Sequence, residues 1–458
     1  MEETTEKTGP QPEAQAAFIP ATPAAPAATP AKTPAAQQKI TRVVILCEVI
    51  DNYGDAGVCL RLARDLTCYG CLVKIYCNVP ERLLALTAPE DRANQALQVL
   101  PWPEHGAGFS YEAPDLLIEA FACRPPAPML QAMHHQPPGL IVVIDYLSAE
   151  PWVQECHLHP TFSDNLPGFF FYPGFTPQTG GLIIEDRWRR LLSAPAQSEN
   201  LSVDRPADRR IDRTIYKRSD SHSESLDELK PDAGSLPDYR PNCTAKPETP
   251  PLGPFSSKEN SFVLKASIFS YDCPQAAALL CALAKDVPEL QATAFVGMPE
   301  ESLLRHLPRL KVPSSLHLKT QPMVDQLAYD KLLLSHDLNL VRGEDSVVRA
   351  MLAGRPWLWQ IYQQEDELHL VKLRALFAVM KQVLPEHTEK ITNWEALNLW
   401  YAGAPSLNLP TLKGISHLFE FWPSWQQAAL LWGQYLLKQP SLTLKLLEFA
   451  QNHISSKP

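Results

Sequence analysis

Short apolar runs alternate with amphipathic segments along the first part of the chain. The strand-like runs are Val43–Cys47, Val73–Cys77, Leu116–Glu119 and Leu140–Asp145. A helical pattern covers Val58–Cys68, between the first two of these runs. Short runs rich in Val, Ile and Leu are typical of strands that are buried on both faces of a parallel sheet. The pattern therefore predicts a doubly wound α/β domain over residues 41–190.

The same alternation returns after residue 258. Its strand-like runs and helical patterns are Ser261–Phe269, Leu280–Lys285, Ala292–Val296, Asp325–Ser335, Leu338–Val341, Val347–Ala353 and Trp357–Ile361. We therefore predict a second α/β domain over residues 259–424. From Trp425 to Ile454 the apolar residues have the spacing of amphipathic helices, with an interruption at Pro440. We expect residues 425–458 to pack across both domains.

Two segments lack this pattern. Residues 1–40 are rich in Ala and Pro, and residues 191–258 mix charges, Ser and Pro with almost no periodic apolar positions. Such segments bury too little apolar surface to fold, so we predict a disordered tail and a disordered insertion. The Arg-rich part from Arg187 to Arg218 either contacts an acidic partner or is a solvated linker.

Charge and composition exclude several classes of protein. The chain has 458 residues and a formal net charge of -10, which argues against binding nucleic acid or an anionic membrane. It has neither a long apolar run nor a secretory signal at Met1, so we expect a cytoplasmic protein without membrane contact. Cys68–Cys71 and Cys156–His159 have spacings seen at metal sites, but neither has the companion ligands that zinc requires. We predict no metal site.

The turn Asp51–Asp55 directly follows the strand-like run Val43–Cys47 and its short continuation. In open α/β sheets, ligands bind beyond the carboxyl ends of strands, so the two carboxylates are candidates for catalysis. The alternative is that they only stabilise the turn and cap the helix predicted near Val58. The spacing alone leaves both interpretations open.

A second candidate site is the segment Arg342–Ser346, between a predicted strand and a predicted helix. The N–H groups of a helix N-terminus bind anions, Arg342 adds a cation, and Gly343 lets the backbone approach a phosphate closely. A pyrophosphate is the predicted ligand. The alternative is an ordinary capped helix in which Arg342 pairs with Glu344.

An aromatic and turn-rich segment, 170–181, closes the first predicted domain. It either stacks on a base or sugar, or grips a partner, or packs at the domain junction.

The chain carries four groups of motifs in order. They are Asp51–Asp55 with Arg61–Arg64, Asp145–Glu150, Phe171–Phe175 with Thr179–Leu182, and Arg342–Ser346 running to Gly354–Pro356. With these motifs the chain resembles the protein-arginine rhamnosyltransferases that modify bacterial translation elongation factor P, over about residues 41–189 and 259–455. The resemblance implies a GT-B fold, in which two Rossmann-like domains face a central cleft. It also implies an inverting enzyme that moves L-rhamnose from dTDP-β-L-rhamnose to an arginine, without a cofactor.

The resemblance assigns roles to particular residues. Asp55 would face the acceptor guanidinium, with Asp51 supporting it and Glu344 as a third catalytic carboxylate. The residues that would bind substrates are Asn52, Tyr53, Gly54, Phe269, Tyr271, Gln326, Tyr329, Arg342, Gly343, Asp345, Ser346 and Tyr362. Among these, Gln326 and Tyr329 match a pair that binds thymine. The departures are Tyr53 and Tyr329, where Phe is frequent in the family, and Asp145, where Glu is frequent.

The residues suit this chemistry. An arginine guanidinium has a pKa above about 12 and delocalised lone pairs, so it becomes a nucleophile only when its charge is localised and a proton is removed. A close carboxylate can do both. Two alternatives remain from the sequence: a GT-B glycosyltransferase with another sugar or acceptor, and a noncatalytic protein that binds a dTDP-sugar.

Overall fold

The computed structural model describes residues 40–50, 53–103, 109–186, 188–189, 262–404 and 418–455. Two predicted site residues, Asp51 and Asn52, lie outside the described residues. So do the predicted insertion and all of the predicted tail except Ile40, and their predicted disorder stays a prediction.

The first half of the fold is a seven-stranded sheet with its helices. The strands are β1 Arg42–Cys47, β2 Leu72–Cys77, β3 Leu97–Pro101, β4 Leu116–Ala120, β5 Leu140–Ile144, β6 Pro160–Ser163 and β7 Leu166–Phe171. The helices are α1 Gly54–Cys68, α2 Pro80–Ala85, α3 Pro89–Ala93, α4 Ala127–His135 and α5 Pro151–Cys156. The strand order is β3-β2-β1-β4-β5-β7-β6, and all neighbours are parallel except β6 and β7.

The second half is a five-stranded parallel sheet. Its strands are β8 Val263–Ile268, β9 Glu289–Phe295, β10 Leu316–Gln321, β11 Leu338–Arg342 and β12 Trp357–Gln360. Its helices are α6 Pro274–Asp286, α7 Met298–His306, α8 Gln326–Ser335 and α9 Glu344–Leu352. The order β10-β9-β8-β11-β12 reverses between β8 and β11, and that of the first sheet reverses between β1 and β4. Ligands of doubly wound folds bind at such reversals.

Four further helices follow β12, and the second half also contains three short 3-10 turns, the first of which lies between α7 and β10. The helices are α10 Leu368–Val383, α11 Thr388–Tyr401, α12 Leu418–Lys438 and α13 Leu442–Ser455, and the turns are Leu307–Arg309, Glu365–Glu367 and Pro385–His387. Trp422 and Trp432 of α12 lie in the apolar core of the second half. Leu442 and Leu446 of α13 lie in the core of the first half. No helix in the described ranges is long and apolar enough to span a lipid bilayer.

All of the strand-like runs form strands, but the sequence missed several elements. The edge strands β3 and β10 are only partly buried, and polar residues interrupt their apolar residues, so they lack a continuous apolar run. Strands β6 and β7 were missed as well, because Pro and Gly interrupt the strand pattern there. Helix α1 begins at Gly54 and helix α9 at Glu344, three to four residues before the predicted starts. Their first turns carry polar residues, so apolar periodicity could not reveal them.

The aromatic segment 170–181 packs inside the protein. Phe171 belongs to β7, and its ring lies 4.7 Å from that of His157. Phe175 is buried, and its ring centre lies 6.0 Å from that of Trp432 on α12. These contacts support the interpretation of the segment as packing between the first half and the C-terminal helices.

Candidate active site

Two adjoining cavities lie between the two halves, at the carboxyl ends of the central strands. The larger cavity, of about 550 Å³, includes Asp55, Tyr271, Glu344 and Tyr362 in its lining. The smaller, of about 50 Å³, is lined by residues that include Tyr53, Phe269, Gln326, Tyr329, Arg342, Asp345 and Ser346. Gly54 and Gly343 line both cavities. Every predicted site residue that the structure describes therefore lines one of these cavities.

The N-termini of α1 and α9 meet where the two cavities join. Gly343 precedes α9 and has a φ of 65°, a left-handed conformation that favours glycine. A Cβ atom placed on Gly343 would lie 4.0 Å from the Cα atom of Gly54, the first residue of α1. Two helix N-termini, one from each half, therefore direct their positive ends toward the same space.

Asp55 lies in the first turn of α1 and is only 2% exposed. Its Oδ2 accepts a hydrogen bond of 2.8 Å from the backbone N–H of Ile50. Asp55 also lines the larger cavity, so stabilising the turn and facing the cavity are compatible. The alternative in which Asp55 is the N-cap of this helix is wrong, because Tyr53 occupies the N-cap position of α1 and Asp55 follows it inside the first turn.

Glu344 reaches across to the first half. Its Oε1 lies 2.7 Å from Nζ of Lys372, and its Oε2 accepts a 2.7 Å hydrogen bond from the backbone N–H of Leu147. Burial raises the pKa of Glu344, Lys372 opposes that rise, and the negative charge of Asp55 adds to it. The interpretation in which Glu344 pairs with Arg342 is wrong, because Glu344 is bound by Lys372.

Arg342 is held by aromatic rings. Its guanidinium carbon lies 4.5 Å from the ring centre of Phe269 and 4.8 Å from that of Tyr271. Its Nη1 is 3.9 Å from the sulfur of Met298. Within the described ranges, no carboxylate lies within 4.0 Å of this guanidinium. Aromatic faces fix a guanidinium by cation–π contact without neutralising it, so Arg342 keeps its charge for an anion in the cavity.

The smaller cavity combines aromatic rings with one oriented amide. The ring centres of Phe269, Phe295 and Tyr329 lie 5.3 to 5.7 Å apart. Nε2 of Gln326 donates to the carbonyl oxygen of Gly57 at 2.9 Å, which fixes the orientation of the amide. Oε1 of Gln326 is buried and has no hydrogen-bond partner in the part of the chain that the structure describes. The cavity therefore offers an acceptor to a planar ligand.

Asp345 belongs to a buried ionic network that sequence reasoning did not find. Its Oδ1 lies 2.5 Å from Nε of Arg61, whose guanidinium also binds Asp330 at 2.7 Å and Glu185 at 3.1 Å. Arg64 extends the network to Glu185 and to α3. The signal in the sequence was two arginines, three residues apart, on the helix that follows the Asp51–Asp55 turn. This spacing places both arginines on one face of the helix, but it does not identify the carboxylates that they bind.

Tyr362 and Ser346 are the remaining predicted site residues, and each lines one of the two cavities. Tyr362 is exposed, and its ring centre lies 6.0 Å from that of Tyr271 at the mouth of the larger cavity. Ser346 lies in the first turn of α9 and faces the smaller cavity. Among the described residues, no group of three or more His, Cys, Asp or Glu is arranged to hold a metal ion.

Comparisons with known proteins agree on one family. The family model described as elongation factor P (EF-P) rhamnosyltransferase EarP matches residues 43–219 and 251–451. A protein-arginine rhamnosyltransferase of Pseudomonas putida is 30% identical over 426 residues, which cover 90% of this chain and 98% of that protein. Another protein-arginine rhamnosyltransferase, of Pseudomonas aeruginosa, is 31% identical, and the match covers 88% of this chain and 97% of that protein.

One solved structure shares the arrangement of the two sheets. It comes from work on the structural basis of EarP-mediated arginine glycosylation of translation elongation factor EF-P, and it is 22% identical, with a TM-score of 0.51. The match covers 90% of this chain and 99% of that one. The two facing α/β halves have the GT-B fold, as the sequence predicted. From the family model and these relatives, the chain belongs to the EF-P rhamnosyltransferase family EarP.

Proposed function

We propose that the protein moves L-rhamnose from dTDP-β-L-rhamnose to an arginine side chain of translation elongation factor P, with inversion. One observation carries the proposal: buried Asp55 and Arg342, the latter without a carboxylate partner among the described residues, come from opposite halves and line adjoining cavities. Two of the relatives are named protein-arginine rhamnosyltransferases, which supports the same reaction. Because the acceptor is a translation factor, we place the reaction in the cytoplasm.

The second half would bind the donor, and the smaller cavity would hold its thymine. Phe269, Phe295 and Tyr329 supply aromatic faces for a planar base. Thymine carries one N–H group on its ring, at N3, in the nucleotide. The buried Oε1 of Gln326 can accept this hydrogen, and a pyrimidine with a bare N3, such as cytosine, would leave that oxygen unsatisfied.

The diphosphate would lie where the cavities join. Arg342 supplies a full positive charge there, and α9 supplies backbone N–H groups and the hydroxyl of Ser346. As the bond from the anomeric carbon to the diphosphate oxygen breaks, negative charge grows on the leaving group. Arg342 and the helix N-terminus are already in place to stabilise it, so we assign this role to them and not to a metal ion.

The first half would bind the acceptor, with its guanidinium in the larger cavity. The carboxylate of Asp55 would attract the guanidinium and localise its charge on the nitrogens nearest to it. A nitrogen then forms a bond to the anomeric carbon from the face opposite the diphosphate, and its proton passes to Asp55. Asp51 would support Asp55. Attack from the opposite face converts the β-linked sugar of the donor to an α-linked product.

A donor comparison tests the proposal. Unmodified EF-P is incubated with the protein and dTDP-β-L-rhamnose, dTDP-glucose or UDP-glucose, and its intact mass is recorded. We expect one deoxyhexose to be added from dTDP-rhamnose and little transfer from the others. The product anomer is then assigned by NMR. Transfer of another sugar in preference, or a β-linked product, would contradict the proposal.

A further inference from the structure

We propose that Lys372 is a positioning residue that holds the carboxylate of Glu344 between the two halves of the active site. The inference rests on the proposed function, because Glu344 lines the larger cavity, which would hold the acceptor guanidinium. Lys372 lies near the start of α10, outside every motif that pointed to the site. Its Nζ lies 2.7 Å from Oε1 of Glu344, and both side chains are largely buried, at 17% and 16% exposed.

The carboxylate of Glu344 joins elements from both halves. While Oε1 binds Lys372, Oε2 accepts the backbone N–H of Leu147, which follows β5 of the first half. Nζ of Lys372 also lies 5.8 Å from the ring centre of Tyr146, and that ring stacks on Phe121 at 4.5 Å. The ammonium group therefore lies between Glu344 and an aromatic surface of the first half.

This arrangement keeps the phosphate-binding end of α9 clear. Glu344 is the first residue of that helix, and an acidic side chain there can fold back toward the N–H groups of its own first turn. Such a contact would compete with the donor diphosphate for the same N–H groups. Lys372 and Leu147 draw the carboxylate aside, so that it lines the larger cavity together with Asp55.

The charged groups around Glu344 make Lys372 its main stabilising cation. Glu344 lines the larger cavity and also a third, small cavity of about 40 Å³. The other titratable groups around the larger cavity are Asp55 on α1, Tyr146, Tyr271, Tyr362 and Lys372 on α10. Those around the third cavity are Asp145 after β5, and Asp345 and Arg349 on α9. Arg349 lies 3.6 Å from Asp345. Burial raises the pKa of Glu344, and Lys372 is the group that most opposes this rise. Without Lys372, Glu344 should bind a proton at higher pH.

Three variants test the role. Lys372→Met removes the charge, Lys372→Arg keeps it, and Lys381→Met is the matched control. Lys381 lies on the same helix and pairs with Glu395 at 2.6 Å, away from both cavities. Each variant is assayed for kcat of rhamnose transfer to EF-P across pH and for dTDP affinity by calorimetry. Its Glu344 carboxyl is titrated by NMR with ¹³C-labelled glutamate, the signal being assigned with Glu344→Gln.

We expect Lys372→Met to raise the pH midpoint of Glu344 by about 1 unit or more and to shift the acidic limb of kcat upward with it. Misplacement of the carboxylate should also lower kcat about 10- to 100-fold. Lys372→Arg should restore the midpoint, and Lys381→Met should match wild type. Affinity for dTDP should fall in Lys372→Met, together with the change in titration, because the released carboxylate competes with the diphosphate for the N–H groups of α9. It should change little in Lys372→Arg and Lys381→Met.

Two results would overturn the inference. One is an unchanged Glu344 titration in Lys372→Met, and the other is a loss of dTDP affinity without a change in titration, which would make Lys372 a phosphate ligand. If Lys372→Met does not fold, Lys372→Gln and Lys372→Arg are compared in the same titration. A wild-type protein that fails to modify EF-P would contradict the proposed function, and the NMR titration would still decide the role of Lys372.

Discussion

The guanidinium of Arg61 binds the carboxylate of Asp330 at 2.7 Å, and neither side chain has any exposed surface. Arg61 lies on α1 of the first half and Asp330 on α8 of the second. A buried ion pair is held in one geometry, because either charge left alone would cost several kcal/mol of desolvation. The pair therefore fixes how the halves meet around the donor cavity, whose residue Gln326 begins the same helix as Asp330.

Loss of the Asp330 carboxylate should destabilise the protein strongly, because the pair is buried. Asp330→Ala leaves Arg61 buried with less compensating charge and should cost about 3–5 kcal/mol of stability, seen as a loss of several degrees in thermal midpoint. The matched control is Asp272→Ala, which removes an exposed pair with Arg305 and should cost under about 1 kcal/mol. Similar losses for the two variants would show that the buried network does not hold the halves together.

Asp55→Asn should abolish transfer and leave donor binding intact. The amide keeps the size of the side chain but cannot take the proton, so we expect kcat to fall by about 10²- to 10⁴-fold. Affinity for dTDP is measured by calorimetry. Asp65→Asn is the control, because Asp65 lies on the same helix and is equally buried, at 2% exposed, but lines neither cavity. Near-normal turnover of Asp55→Asn would remove Asp55 from its proposed role.

Arg342→Ala should weaken dTDP binding. The loss of a charge-assisted contact to the diphosphate is expected to reduce affinity by roughly 10- to 100-fold. Arg374→Ala removes an exposed arginine of α10 and serves as the control for the change in net charge. Calorimetry with dTDP and with thymidine separates the two parts of the ligand, since only dTDP carries the diphosphate. An equal loss for both ligands would argue against a phosphate contact.

Gln326 should distinguish bases by the hydrogen at N3. Wild type should bind dTDP about tenfold or more tightly than N3-methyl-dTDP, because the methyl group removes the donor to the buried Oε1. Gln326→Leu should bind both ligands weakly and with similar affinity. The free energy of the contact between Gln326 and N3 is obtained from four dissociation constants, one for each combination of the two proteins and the two ligands. A difference that persists in Gln326→Leu would place the N3 contact elsewhere.

Asp65 should make stability depend on pH. Burial raises the pKa of Asp65 to about 7, well above its ordinary value, so the folded protein holds a proton that the unfolded chain releases. Stability from this group is therefore present at low pH and is lost as pH rises from about 4 to about 7. The difference in free energy of unfolding between Asp65→Asn and wild type should therefore change with pH. Above pH 7 it should favour Asp65→Asn by on the order of 2–4 kcal/mol more than it does at pH 4. Thermal midpoints of both proteins across this range test it, and parallel curves would contradict it.

The sequence predicted most of the central strands, because their burial on both faces leaves continuous apolar runs. It missed β7, which lies between β5 and β6, because Pro167 and Gly168 interrupt its apolar residues. It also predicted candidate residues in both halves that the structure brings to two adjoining cavities. The edge strands β3 and β10 were missed because one-sided burial leaves only weak alternation. The starts of α1 and α9 were missed because their polar first turns face the cavities.

Long-range partners could not be predicted from local patterns. Lys372 lies 28 residues from Glu344 in sequence, and Arg61 lies 269 residues from Asp330. On chemical grounds alone, the carboxylate of Glu344 could pair with either Lys372 or Arg342, and Arg342 is much nearer in sequence. The choice depends on Phe269 and Tyr271, whose rings hold the Arg342 guanidinium, and only the folded arrangement shows this.

Fragment mass spectrometry of EF-P tests the central claim most directly. Unmodified EF-P is incubated with this protein and dTDP-β-L-rhamnose, digested, and its peptides are sequenced by mass. We expect one deoxyhexose on one arginine side chain, and none when Asp55→Asn replaces the wild-type protein. The absence of any added sugar, with dTDP-rhamnose binding verified by calorimetry, would contradict the account, as would a sugar attached to a residue other than arginine.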